Sequence, residues 1–125
     1  MPENSRFCMV YVTTPDSETA TKIAKLCVQD RLAACANILP TMQAVFWWAG
    51  EVQTDSESVL ILKTEMELFD KLRERVVELH PYDVPAVLQL PITRGHRPYL
   101  EWLIGQTQDG EPSNVHKTHT LKEDE

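Results

Sequence analysis

The chain has 125 residues, of which 42% are hydrophobic and 25% charged, which is room for one domain with its own core and not for two. No apolar run approaches the ~20 residues of a membrane span, and a net charge of −7 with no basic patch argues against nucleic acid as a partner, since phosphate backbones repel such a surface. The start, Met1-Pro2-Glu3-Asn4-Ser5-Arg6, lacks the basic and apolar stretches of a secretory signal, so a cytoplasmic location is expected. Cys8, Cys27 and Cys35 fit that location: they are odd in number, form no CxxC, and read as small buried hydrophobes ahead of a metal or redox role.

In chain order, Phe7-Cys8-Met9-Val10-Tyr11-Val12-Thr13 is a continuous apolar run, predicted to be a strand buried on both faces. Thr14-Pro15-Asp16-Ser17 is helix-start chemistry, with Pro expected at or near the first helical position. Ala20, Ile23, Ala24, Cys27 and Val28 then recur at the spacing of one buried helical stripe, which ends near Arg31 or Leu32. From Cys35 to Trp48 the pattern is extended. Pro40 cannot donate to a ladder, so an edge position or a bulge is expected there. Trp48-Ala49-Gly50-Glu51 reads as a tight hairpin turn with positive φ at Gly50, and the return strand reaches a second continuous run, Ser58 to Thr64.

A second helix is predicted from Met66 to Leu79, where Pro81 forces His80 out of helical geometry. Val84 to Leu90 is read as a last strand with Pro85 at its start, and Pro98 to Ile104 as a short helix ending at Gly105. The domain therefore spans 7–105, followed by a polar, aperiodic tail, 106–125, expected to be disordered. The tail has five acids and two bases, leaving about −4 for the rest of the chain. The order β-α-β-β-α-β plus a short C-terminal helix is the α+β, ferredoxin-like arrangement, in which the first and third strands are central.

Two helices cover only one face of such a sheet. Strands that are apolar on both faces then require a second sheet, so the chain is expected to assemble with copies of itself. The fourteen residues from Cys35 to Trp48 span ~46 Å at ~3.3 Å per residue, against ~33 Å for a compact domain of about 105 residues. The hairpin must bend at Pro40 or reach beyond its own domain, and Phe46, Trp47 and Trp48 near its tip are aromatic anchors for a subunit interface.

Several segments together resemble the CutA family, the divalent-cation tolerance proteins. They are Val12-Thr13-Thr14-Pro15-Asp16, Arg31-Leu32-Ala33-Ala34-Cys35-Ala36-Asn37-Ile38-Leu39-Pro40, Phe46-Trp47-Trp48-Ala49-Gly50, Asp55-Ser56-Glu57 leading to Leu62-Lys63-Thr64, His80-Pro81-Tyr82-Asp83-Val84-Pro85, Leu90-Pro91-Ile92 and Tyr99-Leu100-Glu101-Trp102-Leu103. The resemblance implies a ferredoxin-like homotrimer reminiscent of PII-type signal proteins, with a role in tolerance of copper and other divalent metals. Its metal assignment departs here: positions that hold a cysteine and a His-His pair in a bacterial member are Val12, Leu79 and His80, while Cys35 matches the family's Ala-Ala-Cys motif and Ala86 replaces the usual acid after Val-Pro.

Site by site, His80 reads either as a ligand for Cu²⁺ or another divalent metal, with Cys35 as the second candidate, or as a hydrogen-bonded structural histidine. Glu57 and Lys63 with Trp48, Tyr82, Tyr99 and Trp102 read as a small-molecule cleft between subunits, suited to a metal ion or a small anionic ligand, or as an interface salt link with packing around it. His116 and His119 form an HxxH in the tail, a weak metal collector or simply solvated side chains. P-loop, GxGxxG, HExxH and GxSxG motifs are absent, so no enzyme is expected. An RNA-recognition module requires a basic, aromatic-interleaved third strand, and an acylphosphatase a Gly-rich anion loop; neither is present. A metal- or ligand-responsive trimer and a metal-free interaction scaffold remain as the two functional expectations.

Overall fold

The computed structural model describes residues 5–107. Four antiparallel strands, β1 (Phe7–Thr14), β2 (Cys35–Trp48), β3 (Glu51–Glu65) and β4 (Val87–Ile92), form one sheet in the order β2-β3-β1-β4. Its helices are α1 (Ser17–Gln29), α2 (Phe69–Leu79), which follows a 3₁₀ turn at Met66–Leu68, and α3 (Arg97–Gln106). The two continuous apolar runs are thus the central strands, paired from Phe7↔Glu65 to Thr14↔Ser58.

The two faces differ sharply. Cys8, Val10 and Val12 on β1 and Leu60 and Leu62 on β3 are fully buried against Ala20, Ile23 and Cys27 of α1 and Leu72 and Val76 of α2. The alternate residues Met9, Tyr11 and Ile61 are only half-buried, so within one subunit the expected double burial is not realised. Toward the β4 edge the same face exposes Leu88 and Leu90 at 56% and 44%. The C-terminal helix α3 caps one end of it, where Leu103 packs with Phe7 and Ala34.

Local chemistry explains the element ends. The Asp16 side chain caps α1 by accepting from the Thr19 N–H at 2.7 Å, which holds its carboxyl below the usual range. Pro15 accordingly lies before the cap and not inside the first turn. The helix stops with Arg31 in the left-handed region, φ 60°, while the Arg31 and Leu32 N–H groups return to the Val28 and Cys27 carbonyls, each at 3.0 Å. The Thr64 hydroxyl then ties the chain to the sheet by donating to the Leu32 carbonyl at 2.7 Å.

At Pro40 both expected devices occur together. The strand β2 is an edge, and its register on β3 shifts between Leu39 and Met42, with the Pro40 carbonyl accepting from Ser58 Oγ at 2.6 Å. Two boundaries move. The last strand begins at Val87 and carries Pro91 instead of Pro85, and α3 runs through Gly105 to Gln106. Pro91 sits on the edge strand β4, where a missing N–H is tolerated. Thr107 stays buried and donates to Glu65, so it belongs to the packed domain although it lies past residue 105; residues 108–125, including His116 and His119, lie outside the described residues.

The hairpin turn carries positive φ at both central residues, Ala49 at 53° and Gly50 at 79°, the pattern of a type I′ turn. Alanine is strained there, whereas asparagine tolerates the left-handed region. Ala49→Asn should raise the unfolding free energy by about 0.5–1 kcal/mol. A Gly50→Ala change should lower it by about 1 kcal/mol, since a Cβ there meets open space and only the backbone resists. Urea unfolding at one fixed protein concentration checks both; unchanged midpoints would contradict this turn.

Candidate functional site

Helix α2 ends at Leu79 because Pro81 denies His80 a helical conformation, and His80 adopts φ −80°, ψ 138°. That extended step turns the imidazole inward, where it is 8% exposed. Nδ1 accepts from the Tyr82 N–H at 3.0 Å, so Nε2 carries the proton and donates to the Thr13 carbonyl of β1 at 2.7 Å. Both ring nitrogens are engaged, and the histidine fastens the loop after α2 to the end of β1.

The loop thereby positions Tyr82. Its ring lies 4.8 Å from the His80 ring, and its hydroxyl donates to Glu57 on β3 at 2.9 Å. Desolvation, then the hydrogen bond to Glu57 and the charges of Glu57, Asp55 and Asp16, push the phenol up to about 12.

Between this loop and the hairpin lies a pocket of about 540 Å³. Phe46, Trp48 and Tyr82 supply aromatic walls, and Asp55, Glu57 and Asp83 supply carboxylates. No Lys, Arg or His lines it, and none of the three acids forms an ion pair among the described residues. The hairpin register creates the shared face: Phe46↔Gln53, Ala44↔Asp55 and Met42↔Glu57 are cross-strand pairs, so alternation brings Phe46, Trp48, Asp55 and Glu57 to one side. The same alternation splits the expected aromatic trio, sending Trp47 with Val45 and Val52 to the opposite side, where Trp47 is 74% exposed.

Lys63, Tyr99 and Trp102 form a second cluster. Lys63 Nζ is 3.5 Å from the Tyr99 hydroxyl and 5.5 Å from its ring centroid, and Tyr99 stacks against Trp102 at 5.6 Å. Cys35 is the cross-strand partner of Lys63, and it borders an apolar groove of about 500 Å³ between α1, β2 and Trp102. Burial, followed by Cys35, raises the Tyr99 phenol. Within one subunit the expected six-residue cleft is therefore two separate sites, because Glu57 and Lys63 stand six residues apart on one strand, about 20 Å at 3.3 Å per residue.

The two candidate metal ligands are likewise not brought together. His80 touches the Thr13 end of β1, whereas Cys35 lies opposite Lys63, which pairs with Met9 toward the other end. Val12 is fully buried and Leu79 packs on the core. Among the described residues no three His, Cys, Asp or Glu side chains are grouped to hold a metal ion. Cys8 and Cys27 are buried, with burial raising both thiols, Cys27 to about 11.

Sequence reasoning missed Asp55 and Asp83 as lining residues and took Phe46 only for an interface anchor. The period-two pattern backward from Glu57 was the available signal for Asp55 and Phe46. Nothing in the sequence marks the Thr13 carbonyl, a backbone acceptor.

Two measurements check this geometry. His80→Ala leaves the Thr13 carbonyl and the Tyr82 N–H without their partner and should lower stability by about 2–4 kcal/mol; a loss below about half a kcal/mol would contradict the clamp. A phenol held near 12 in the folded chain, above the ordinary value of 10, gives up its proton first in the unfolded state. Its stabilising effect is full below pH 10 and fades from there to about 12. Ultraviolet titration of wild type minus Tyr82→Phe should show that late ionisation, moved down by Glu57→Gln.

Comparison with known proteins covers nearly all of the described residues. Residues 8–106 match the family described as CutA1 divalent ion tolerance protein. The chain is 50% identical over 95 residues to the divalent-cation tolerance protein CutA of Thermus thermophilus, covering 76% of this chain and 92% of that one. It is 48% identical over 101 residues to the chloroplastic protein CutA 1 of Oryza sativa, covering 81% of this chain and 57% of that one; the chain thus spans just over half the length of the plant relative. The crystal structure of CutA1 from Oryza sativa superposes with a TM-score of 0.81 at 45% identity, over 85% of this chain and 97% of that one. The structure of the divalent cation tolerance protein from Thermus thermophilus superposes at 0.79 and 47% identity, over 82% and 99%. Relatives are named for different compartments, chloroplastic in Oryza sativa and periplasmic in Archaeoglobus fulgidus. Because the family match spans residues 8–106, the range that includes the sheet, the clamp and the pocket, the chain belongs to the CutA1 divalent ion tolerance protein family.

Proposed function

We propose that the protein acts as a homotrimer with a non-catalytic, PII-like binding role in the cellular response to copper and other divalent cations, in the cytoplasm. The observation that supports the self-association in this reading is the sheet face that α1 and α2 leave uncovered and α3 caps only at one end. Tyr11, Ile61, Leu88 and Leu90 lie on it, and the exposed Leu39 of β2 faces the same way. Burial of apolar surface is worth roughly 25 cal/mol per Å², so a copy of the same face is the natural cover. The number three rests on the family resemblance; the packing reason gives only self-association. In such an assembly the Glu57–Tyr82 pocket and the Lys63–Tyr99 cluster, distant within one subunit, are candidates to meet across a subunit boundary.

A second reading, a metal-free interaction scaffold, is favoured by one feature: both His80 nitrogens are already bonded, so a metal at His80 has to displace Thr13 or Tyr82. Calorimetry with Cu²⁺ and Zn²⁺ on wild type and His80→Ala separates the two. The metal-responsive reading expects saturable binding; none at all supports the scaffold, and binding unchanged in His80→Ala removes His80 as ligand. For assembly, Leu88→Asp places a charge on the open face and should shift light scattering from three 14.3 kDa chains toward one. An unchanged particle would remove this face from the interface.

A further inference from the structure

We propose that residues 108–111, the segment directly after Thr107, dock their two carboxylates, Asp109 and Glu111, in a basic pocket along α3. Such a contact lies within one chain and does not depend on the binding role above.

Charge selects the occupant. Arg6, Arg94 and Arg97 line a pocket of about 500 Å³ with Phe7 and Ile104, and Glu101 is the one acid among the lining residues. Arg6 is bridged to Glu65 at 3.2 Å. The guanidinium groups of Arg94 and Arg97 have no hydrogen bond or ion pair among the described residues. In a chain of net charge −7 this local excess of guanidinium groups is a focus for carboxylates. The segment Gln108-Asp109-Gly110-Glu111 has two acids and no base.

Position puts that segment within reach. The buried Thr107 donates its hydroxyl to one oxygen of Glu65, while Arg6 bonds to the other. The chain therefore departs beside an arginine that lines the pocket. Helix α3 has ten residues, a length of about 15 Å at 1.5 Å per residue. Four extended residues running back along it cover about 13 Å at 3.3 Å each. Asp109 then falls near Arg6, and Glu111 near Arg97 and the start of the helix, while Glu101 between them meets the uncharged Gly110. His96 makes no side-chain cap at that start. A carboxylate there also satisfies the positive end of the helix dipole.

Helical spacing separates this pocket from the cluster that self-association would bring to a boundary. Arg97, Glu101 and Ile104 share one face of α3, and Tyr99 and Trp102 lie on the opposite one. Docked along the first face, the segment closes the pocket to outside anions.

A protease that cuts before aspartate reads the contact in the full chain. It cleaves Gln108–Asp109, and Glu123–Asp124 farther along the same tail serves as the internal reference. At low salt, cleavage before Asp109 relative to Asp124 should be about three- to tenfold slower in wild type than in Arg94→Gln/Arg97→Gln. About 0.5 M NaCl should remove most of the difference. Glu111→Gln should release the bond as well, and adding it to the arginine pair should change little more, because both act on one contact. A ratio equal in wild type and Arg94→Gln/Arg97→Gln would overturn the docking, and so would effects of the two changes that simply add. Free cleavage in wild type together with saturable calorimetric binding of inorganic pyrophosphate would give the pocket to an outside anion and overturn it too.

Discussion

A four-stranded sheet with its two long helices on one side has an unanswered second side, and that constraint organises this molecule. The helix-covered side is a finished core, in which Val10, Val12, Leu60, Leu62, Ile23 and Leu72 are fully buried. On the reverse, α3 covers only the Phe7 end. The remainder, centred on Tyr11, Ile61 and Leu88, is apolar without a cover. An exposed patch of that kind marks an interaction surface, because water contact along it opposes the burial that drives folding.

The long hairpin extends the same asymmetry past the body of the domain. The helix layer stops near Thr14 and Ser58, beyond which β2 and β3 continue without helices above them. The bulge at Pro40 marks the transition: the register slips there, and Ser58 Oγ secures the displaced carbonyl. Alternation then assigns the hairpin two different sides. Trp47 with Val45 and Val52 is available for packing between subunits, while Phe46 and Trp48 wall a pocket with Tyr82. The pocket depends on the body of the domain through one histidine, since the loop that carries Tyr82 is pinned to β1 by His80.

Much of the architecture was legible because local and long-range signals agreed. The capping chemistry of Asp16, the helical stripe from Ala20 to Val28, the Pro81 stop and the Ala49-Gly50 turn each have a short-range physical cause and stand where that cause puts them. Strand β4 was misplaced because Val84-Pro85-Ala86 has strand-like composition, and only pairing with β1 reveals that the ladder begins at Val87. The site was legible residue by residue and not as a whole. Glu57 and Tyr82 do meet, yet Lys63 lies far along the strand and Cys35 lies far from His80, distances that composition and family resemblance do not contain. Asp83 was hidden for a related reason: a loop residue joins a site through the loop's path, which has no periodicity to read.

The central claim is that the bare sheet face is satisfied by copies of the same chain. Sedimentation equilibrium of the unmodified protein over a micromolar concentration range addresses it directly. The account predicts a single species of three chains throughout that range. A folded species of one chain, stable and soluble at the same concentrations, would contradict it.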